Sequence, residues 1–381
     1  MSNVYSEETS VTQSIIKTGN QRIESLDWLR GLMAIAIMFY HFTSYSFFQP
    51  DASSFLGKFS IYAVSIFFII SGLSMAIVYN AFINSLKTAW FFFVRRIFRI
   101  WPLLWLCVFL GVLAGALQNI HTDPWKIFLN ITTLFGFIKP DAYINTGAWS
   151  IGNEMVYYFL TPLIIFLFNR KIVFGNILLI FSVIIGIFFA FNIFNPNVTL
   201  EEQWIMYINP LNNLFFYIAG IAIFYNLKNR NFPTDKFIYT ALSIISILIF
   251  IFYPIYGDRV NLIVGVNRIA LSLASIILVI SFYKFPLTVP RICSYPLKHL
   301  GIATYGVYLF HPIVFQSIRF IIPQLKTAPV FIFIISTVLT ISVALLSFNF
   351  FEKPIMKIGK KMTKNSQTLN TPSPILSEKH Y

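Results

Sequence analysis

One short apolar segment near the amino terminus carries three polar side chains that a membrane helix seldom tolerates. The segment reads LDWLRGLMAIAIMFYHF, residues 26–42, and the polar groups belong to Asp27, Arg30 and His41. A charged side chain near the bilayer centre costs about 2.5–3.5 kcal/mol on insertion scales, so such residues usually serve a function. Imidazole acts as a general base or a nucleophile near neutral pH, and guanidinium suits phosphate. The segment therefore joins groups for catalysis with groups for anion binding.

Helical spacing places these side chains on one face. Arg30 and His41 are eleven residues apart, which is three turns plus roughly 20°, or about 16 Å along the axis. Asp27 falls on the same stripe. The pattern predicts an inward polar seam with Arg30 near the cytoplasm and His41 near the outer surface. The alternative is a packing seam in which His41 bonds a neighbouring carbonyl group and Arg30 snorkels to the interface.

Two further apolar segments carry polar stripes. In WSIGNEMVYYFLTP, residues 149–162, Ser150, Glu154 and Tyr158 recur every four residues and share a face. Glu154 is seven residues into its span, so we expect it at the depth of His41. Arg268 is about six residues in from the outer side of a later span. These residues predict a cavity with a functional site at His41 and Glu154, although each could instead be a packing residue.

The segment ATYGVYLFHP carries the third stripe, Thr304, Tyr308 and His311, with His311 nearer the membrane centre. A set of polar residues on separate helices favours a cavity over isolated packing contacts. The residues that we expect to line this cavity or to contact an acceptor are Ser150, Tyr158, Arg268, Tyr308 and His311.

A basic cluster lies at the inner end of the third apolar segment, in FFFVRRIFRIWP. Arg96 and Arg99 are three residues apart, and Arg95 is adjacent. The planar guanidinium donates two parallel hydrogen bonds to phosphate, which favours an anion site formed with Arg30. The alternative is a positively charged anchor on the cytoplasmic side.

Composition identifies the class of protein. The chain has 381 residues, of which 57% are hydrophobic and 11% charged, whereas a soluble protein carries about 25% charged residues. The net charge of +14 comes from basic residues that flank apolar segments, which argues against nucleic-acid binding.

Residues 1–25 are polar without the apolar core of a signal peptide, so we expect no cleavage. The distant Cys107 and Cys293 show no metal-binding pattern.

Ten apolar stretches are long enough to cross about 30 Å of hydrocarbon. They lie near residues 28–48, 59–80, 97–118, 147–168, 171–194, 208–226, 236–256, 262–282, 300–321 and 329–351. A shorter stretch, 124–138, is expected at the interface.

The distribution of basic residues predicts the orientation and the domain boundaries. With both termini in the cytoplasm, 21 of the 28 lysines and arginines fall on the inner side. We predict an all-α polytopic protein with a polar amino terminus (1–25), a membrane domain (26–355) and a basic, disordered tail (356–381). No further domain is expected.

Six motifs in order resemble the acyltransferase-3 family of integral-membrane O-acyltransferases. They are SLDWLRGLMAIAIMFYHF, SIFFIISGLSM, RRIFRIWP, WSIGNEMVYYFLTP, TYGVYLFHP and FEKP, and they extend from about residue 25 to 355. Members of the family move an acyl group, most often acetyl from acetyl-CoA, onto cell-surface carbohydrates. The resemblance implies that His41 is catalytic and that Arg30, Arg96 and Arg99 serve the donor.

The residues and the resemblance favour one mechanism. Acetyl-CoA docks its phosphates on Arg96 and Arg99 from the cytoplasm, and its pantetheine arm follows the face of Arg30 towards His41. His41 either activates a sugar hydroxyl as a base or takes the acetyl group in a two-step relay, and Glu154 orients it. No bound cofactor or metal is expected, and membrane lipid surrounds the chain.

The expected acceptor is a lipid-linked or polymerised carbohydrate such as O-antigen, capsule or exopolysaccharide. Loops 49–58, 119–146 and 195–207 would select it. The expected location is the inner, or cell, membrane of a bacterium. Buried charged residues also mark substrate pathways, so a transporter or flippase without acyl-transfer chemistry is the alternative function. A structural membrane protein whose polar stripes only join helices is a third.

Overall fold

The structure, a computed structural model, describes residues 23–229, 236–284 and 290–364. This part of the chain contains ten long helices, one at each predicted stretch, and no strand. The helices are α1 (Glu24–Ser46), α2 (Phe55–Tyr79), α3 (Leu86–Ala116), α4 (Trp149–Arg170), α5 (Ile172–Phe188), α6 (Pro210–Leu227), α7 (Lys236–Phe252), α8 (Gly265–Lys284), α9 (Arg291–Ile321) and α10 (Pro329–Ser347). The prediction of an all-α polytopic protein is confirmed.

Seven of these helices, some with a short flanking extension, are long and apolar enough to cross a membrane by length and composition. They are α2, α3, α4, α5, α6, α8 and α10. Of the others, α7 has 17 residues, whereas α1 and α9 carry charged and polar side chains near their first turns. Ten spans, and the inward placement of both termini, stay predictions.

We use the predicted orientation to name the two sides of the bundle. The outer side is the one that carries residues 47–54, 117–148, 194–209, 253–264 and 322–328.

Helices α1 and α9 approach each other closely because glycine lies at their contact. A Cβ atom at Gly301 would lie 2.1 Å from the carbonyl oxygen of Asp27, and one at Gly31 would lie 3.0 Å from the backbone nitrogen of Gly301. Small residues permit such close backbone packing in membranes. His41 and His311 each follow their glycine by ten residues, about 15 Å along a helix. The close contact of the glycines therefore sets the register in which the two histidines meet.

The segment between α3 and α4 folds into two short helices, Pro124–Ile131 and Phe135–Ile138. The indole N–H of Trp105 donates to the carbonyl oxygen of Ile131 at 2.7 Å, and Gly136 packs against Gly152 at the start of α4. The segment thus covers the first turn of α4 rather than crossing the helix bundle. Neither helix is long enough to span a membrane, as the sequence indicates for 124–138.

The chain after α10 differs from the sequence prediction. Helix α10 continues through a π-helical turn, Phe348–Glu352, into α11 (Lys353–Lys364), so residues 356–364 are helical rather than disordered. Gly359 packs on Phe98 of α3, and Thr363 accepts a hydrogen bond from Arg95 Nε at 2.8 Å. Between the basic residues of α11, small and apolar residues such as Gly359 recur with helical spacing and face α3. The predicted tail from 365 onward, like the amino terminus up to residue 22, lies outside the described residues.

Candidate active site

The two predicted intramembrane histidines stack on each other. The ring centroids of His41 and His311 are 5.1 Å apart with planes tilted by 29°, and Tyr45 stacks on His41 from one turn further along α1. His311 is buried, and its Nδ1 lies 3.1 Å from the carbonyl oxygen of Val307, so Nδ1 carries the proton and donates. Its Nε2 has no partner among the described residues. His41 is partly exposed and can meet a substrate.

Tyr308 joins the histidine pair to α4. Its ring lies 6.1 Å from that of His311, and its hydroxyl group lies 2.8 Å from Ser150 Oγ and 2.9 Å from the carbonyl oxygen of Gly147. Ser150 is at the first turn of α4, so that turn lies at the depth of Tyr308 rather than at the surface. Three predicted cavity residues, Ser150, Tyr308 and His311, are therefore brought together with His41.

Glu154 lies elsewhere than the sequence predicts. Its carboxylate accepts hydrogen bonds from Ser71 Oγ at 2.7 Å and from the Tyr158 hydroxyl group at 2.5 Å. Among the described residues neither His41 nor His311 bonds to it, so the prediction that it lies level with His41 and orients it is wrong. The reason is that α4 starts below the outer surface, where the preceding segment covers its first turn. The sequence prediction counted residues from the end of the apolar stretch and assumed that this end lies at the surface.

Arg96 adjoins the Glu154 group from the inner side. Its guanidinium donates to the Tyr79 hydroxyl group at 2.9 Å and lies 5.3 Å and 5.7 Å from the ring centres of Tyr79 and Tyr158. Tyr158 thus contacts both Arg96 and Glu154. Arg96 Nε is buried and has no acceptor within the described part of the chain, so one donor of the guanidinium is left without a hydrogen bond.

Arg30 approaches the same helix as Glu154. It pairs with Asp27 at 3.2 Å and donates to Ser74 Oγ at 2.5 Å on α2. Ser74 lies one turn from Ser71, the partner of Glu154. Arg30, Glu154 and Arg96 are therefore grouped around the inner half of α2, and His41 lies on the same face of α1 as Arg30, about 16 Å further along.

Arg99 forms an ion pair within the protein. Its guanidinium forms an ion pair with Glu352 at 2.9 Å, and the carboxylate is buried with its second oxygen unbonded among the described residues. Glu352 belongs to the π-helical turn after α10, so this pair fixes α10 and α11 on α3. The structure therefore supports a structural role for Arg99, whereas its role in donor binding stays a prediction.

The variant Arg99→Ala is expected to lower the stability of the folded protein by about 3 kcal/mol, because it leaves the buried Glu352 carboxylate unpaired. The measurement is thermal unfolding of the purified protein in detergent. The double variant Arg99→Gln/Glu352→Gln should recover most of the loss, since two neutral amides can bond each other. Arg170→Ala, at an exposed arginine on the inner side, is the control. A single variant as stable as this control would show that the pair contributes nothing.

Arg268 is buried away from the histidines. It is 4% exposed, donates to the carbonyl oxygen of Asn212 at 2.8 Å, and lies 5.5 Å from the ring of Phe215. Its Nε has no acceptor and its charge has no carboxylate partner among the described residues. The structure thus places Arg268 in the interior, as predicted, but not in contact with His41.

Sequence reasoning missed Arg259 and Tyr40. The guanidinium carbon of Arg259 lies 5.2 Å from the ring centre of Tyr40, which is 5.2 Å from the ring of His41. Tyr40 adjoins His41 in the sequence and could have been considered. Arg259 lies in an outer loop, and no periodic pattern marks it, because the fold of the loop brings it to α1.

Fold and site together define a class: a polytopic helical membrane protein with a histidine pair towards the outer side and guanidinium groups towards the inner side. The chain belongs to the acyltransferase-3 family, since the family model, described as an acyltransferase domain, matches residues 23–348.

Two bacterial relatives are similar over most of this chain. It is 24% identical over 371 residues to a peptidoglycan O-acetyltransferase, OatA, of Listeria monocytogenes, with 88% of this chain and 56% of that protein covered. It is 26% identical over 367 residues to an O-acetyltransferase, OatA, of Staphylococcus aureus, with 89% and 58% covered. The chain thus spans less than three fifths of the length of these relatives. No solved structure matches it.

Proposed function

We propose that the protein is an O-acetyltransferase of the bacterial cell membrane. It transfers acetyl from cytoplasmic acetyl-CoA to a hydroxyl group of a cell-surface carbohydrate. Membership of the acyltransferase-3 family supports the reaction class, and the relatives named as O-acetyltransferases support acetyl as the group moved.

The observation that carries the proposal is a column of polar side chains through the helix bundle. From the outer side it contains His41, His311, Tyr308, Ser150, Glu154, Tyr158 and Arg96. Consecutive members contact each other, except Ser150 and Glu154, which are one turn apart on α4. Such a column suits a reaction whose donor and acceptor arrive from opposite sides.

The inner end of the column suits the donor. Acetyl-CoA is a polyanion, and Arg96 is a partly exposed residue whose buried Nε–H has no acceptor among the described residues. Arg30 lies on the way towards His41, with 27% of its side chain exposed. In this arrangement the phosphates of the donor stay near Arg96 and Arg30, with Arg99 at the rim, and the narrow pantetheine arm extends towards the histidines.

The outer end of the column performs the transfer. His41 takes the proton from the acceptor hydroxyl group as its oxygen attacks the thioester carbonyl carbon. This attack forms the C–O ester bond. The C–S bond then breaks, and the proton passes from His41 to the leaving CoA sulfur. His311 stacks on His41 and holds it in place, and Tyr308 fixes His311 relative to α4. A relay through acetyl-His41 is distinguished by mass spectrometry of the acid-quenched protein.

The acceptor is a carbohydrate of the cell envelope, such as O-antigen, capsule or exopolysaccharide. The name of the Listeria relative adds peptidoglycan to these candidates. The outer connections, residues 47–54, 117–148 and 194–209, surround the side of the site from which such a glycan arrives. They differ in length and would shape selectivity.

The test compares cells with and without the gene by mass spectrometry of their surface glycans. Purified protein in nanodiscs is then given ¹⁴C-acetyl-CoA and the isolated glycan. We expect acetyl-CoA-dependent label on the glycan. Movement of a glycan or solute without acetylation would instead support the transporter, and absence of both activities would support a structural role.

A further inference from the structure

The outer loop that carries Arg259 is held firmly by other parts of the chain. The backbone N–H of Ala52 donates to the carbonyl oxygen of Gly257 at 3.0 Å, and that of Leu200 donates to Asp258 Oδ1 at 2.8 Å. Arg259 then begins a short 3-10 turn, 259–262. Two other outer connections, 47–54 and 194–209, thus bond to this loop. They fix the backbone from which the Arg259 side chain reaches α1.

The guanidinium of Arg259 has no anionic partner among the residues that the structure describes. Its described contact is the Tyr40 ring, and no carboxylate lies within ion-pair distance in the described part of the chain. The distances from Arg259 to Tyr40 and from Tyr40 to His41 together limit its separation from the His41 ring to roughly 10 Å.

A second uncompensated guanidinium lies in the same half of the bundle. Arg268, near the outer end of α8, is buried and has no carboxylate within ion-pair distance among the described residues. A buried charge without a counter-ion is costly, so it is rarely retained without a use. The outer half of the bundle therefore holds two guanidinium groups that have no carboxylate partner among the described residues.

We propose that Arg259 binds an anionic group, a carboxylate or a phosphate, on the glycan acceptor while the neighbouring hydroxyl group meets His41. The inference rests on the proposed function and adds the chemical class of acceptor. The donor does not supply this anion, because its phosphates stay near Arg96 on the inner side and its acetyl group is neutral. The separation of Arg259 from His41 is comparable with one or two sugar rings, which suits an anionic substituent close to the acetylated position.

The first experiment measures the kinetics of transfer to the isolated glycan with purified Arg259→Gln, Arg259→Lys and Arg319→Gln. Arg319 is the matched control, since it is also an outer arginine on an aromatic ring, 5.8 Å from that of Phe315. We expect Arg259→Gln to raise KM for the glycan about tenfold to a hundredfold, with less change in kcat and in acetyl-CoA affinity. Arg259→Lys should recover part of this, and Arg319→Gln should behave as the parent.

The second experiment changes the glycan rather than the protein. Mass spectrometry identifies the acetylated glycan fragment, which should carry a carboxylate or a phosphate next to the acetylated sugar. Carbodiimide and borohydride reduction removes a carboxylate, whereas hydrofluoric acid removes a phosphate. The treatment that removes the relevant anion should raise KM for the parent to the value of Arg259→Gln and leave that variant unchanged.

The outcomes separate this inference from the proposed function. A neutral acetylated fragment, an unchanged KM in Arg259→Gln, or a loss confined to kcat would overturn the anion site while acetyl transfer by the parent stands. A parent that transfers no acetyl group would refute the proposed function, and the assignment of Arg259 with it.

Discussion

Purified His41→Ala protein is expected to bind acetyl-CoA as tightly as the parent but to transfer acetyl at less than about 1% of the parent rate. General base catalysis contributes roughly 10²–10⁴-fold, and no other histidine among the described residues is both partly exposed and next to the column. The fold should survive, because His41 is not fully buried and its removal exposes no buried partner that it satisfied. Transfer is measured with ¹⁴C-acetyl-CoA, and donor binding by calorimetry.

His121→Ala is the matched control, since His121 is an exposed histidine on the outer side. It should transfer acetyl at the parent rate. His311→Ala should also impair transfer, because His311 holds the ring of His41 from one side. Normal acetylation by well-folded His41→Ala would remove His41 from the chemistry, and the transfer mechanism would fail with it.

The helices could be predicted because a bilayer imposes their length. A stretch of about 20 apolar residues that crosses the bilayer forms a helix, because a helix satisfies all of its backbone hydrogen bonds within the segment. The same logic does not apply outside the bilayer. Helix α11 was missed because its lysines resemble a disordered tail, whereas its helical structure depends on packing against α3 through Gly359 and Thr363.

Within the candidate site, residues on one helix could be predicted, and relations between helices only in part. The stripe of Arg30 and His41 follows from helical geometry alone. The meeting of His41 with His311 depends on the contact of Gly31 with Gly301, which spacing within one helix does not reveal. The depth of Glu154 depends on the fold of the preceding segment.

The role of Arg259 illustrates the limit of sequence reasoning. Its position beside Tyr40 depends on hydrogen bonds between three loops, and none of these has a periodic sequence pattern. An arginine in an outer loop resembles any other until the loop is folded. The acceptor selectivity that we propose would therefore depend on loops whose fold the sequence does not predict.

Arg96→Ala is expected to weaken acetyl-CoA binding by about tenfold to a hundredfold. A charge-assisted hydrogen bond to phosphate is worth about 1.5–3 kcal/mol, and 1.4 kcal/mol is a factor of ten. Arg96→Lys should restore only part of the affinity, because lysine keeps the charge but loses the planar pair of donors. Higher salt should weaken donor binding more in the parent than in Arg96→Ala, since salt screens partly exposed charges. Calorimetric titration with acetyl-CoA measures all three.

Arg170→Ala controls for the loss of one inner positive charge, because Arg170 is exposed, lies 5.2 Å from the ring centre of Phe166, and has no ion pair among the described residues. It should bind acetyl-CoA like the parent. Arg96 also contacts Tyr158, the partner of Glu154, so its loss could act on catalysis through that tyrosine. Tyr158→Phe separates the two effects, since it removes the hydrogen bond to Glu154 but keeps the ring beneath Arg96. If Tyr158→Phe binds the donor normally and Arg96→Ala does not, the guanidinium itself holds the phosphates. If Arg96→Ala binds like Arg170→Ala, the donor does not enter at Arg96, and delivery of acetyl along the column must be abandoned.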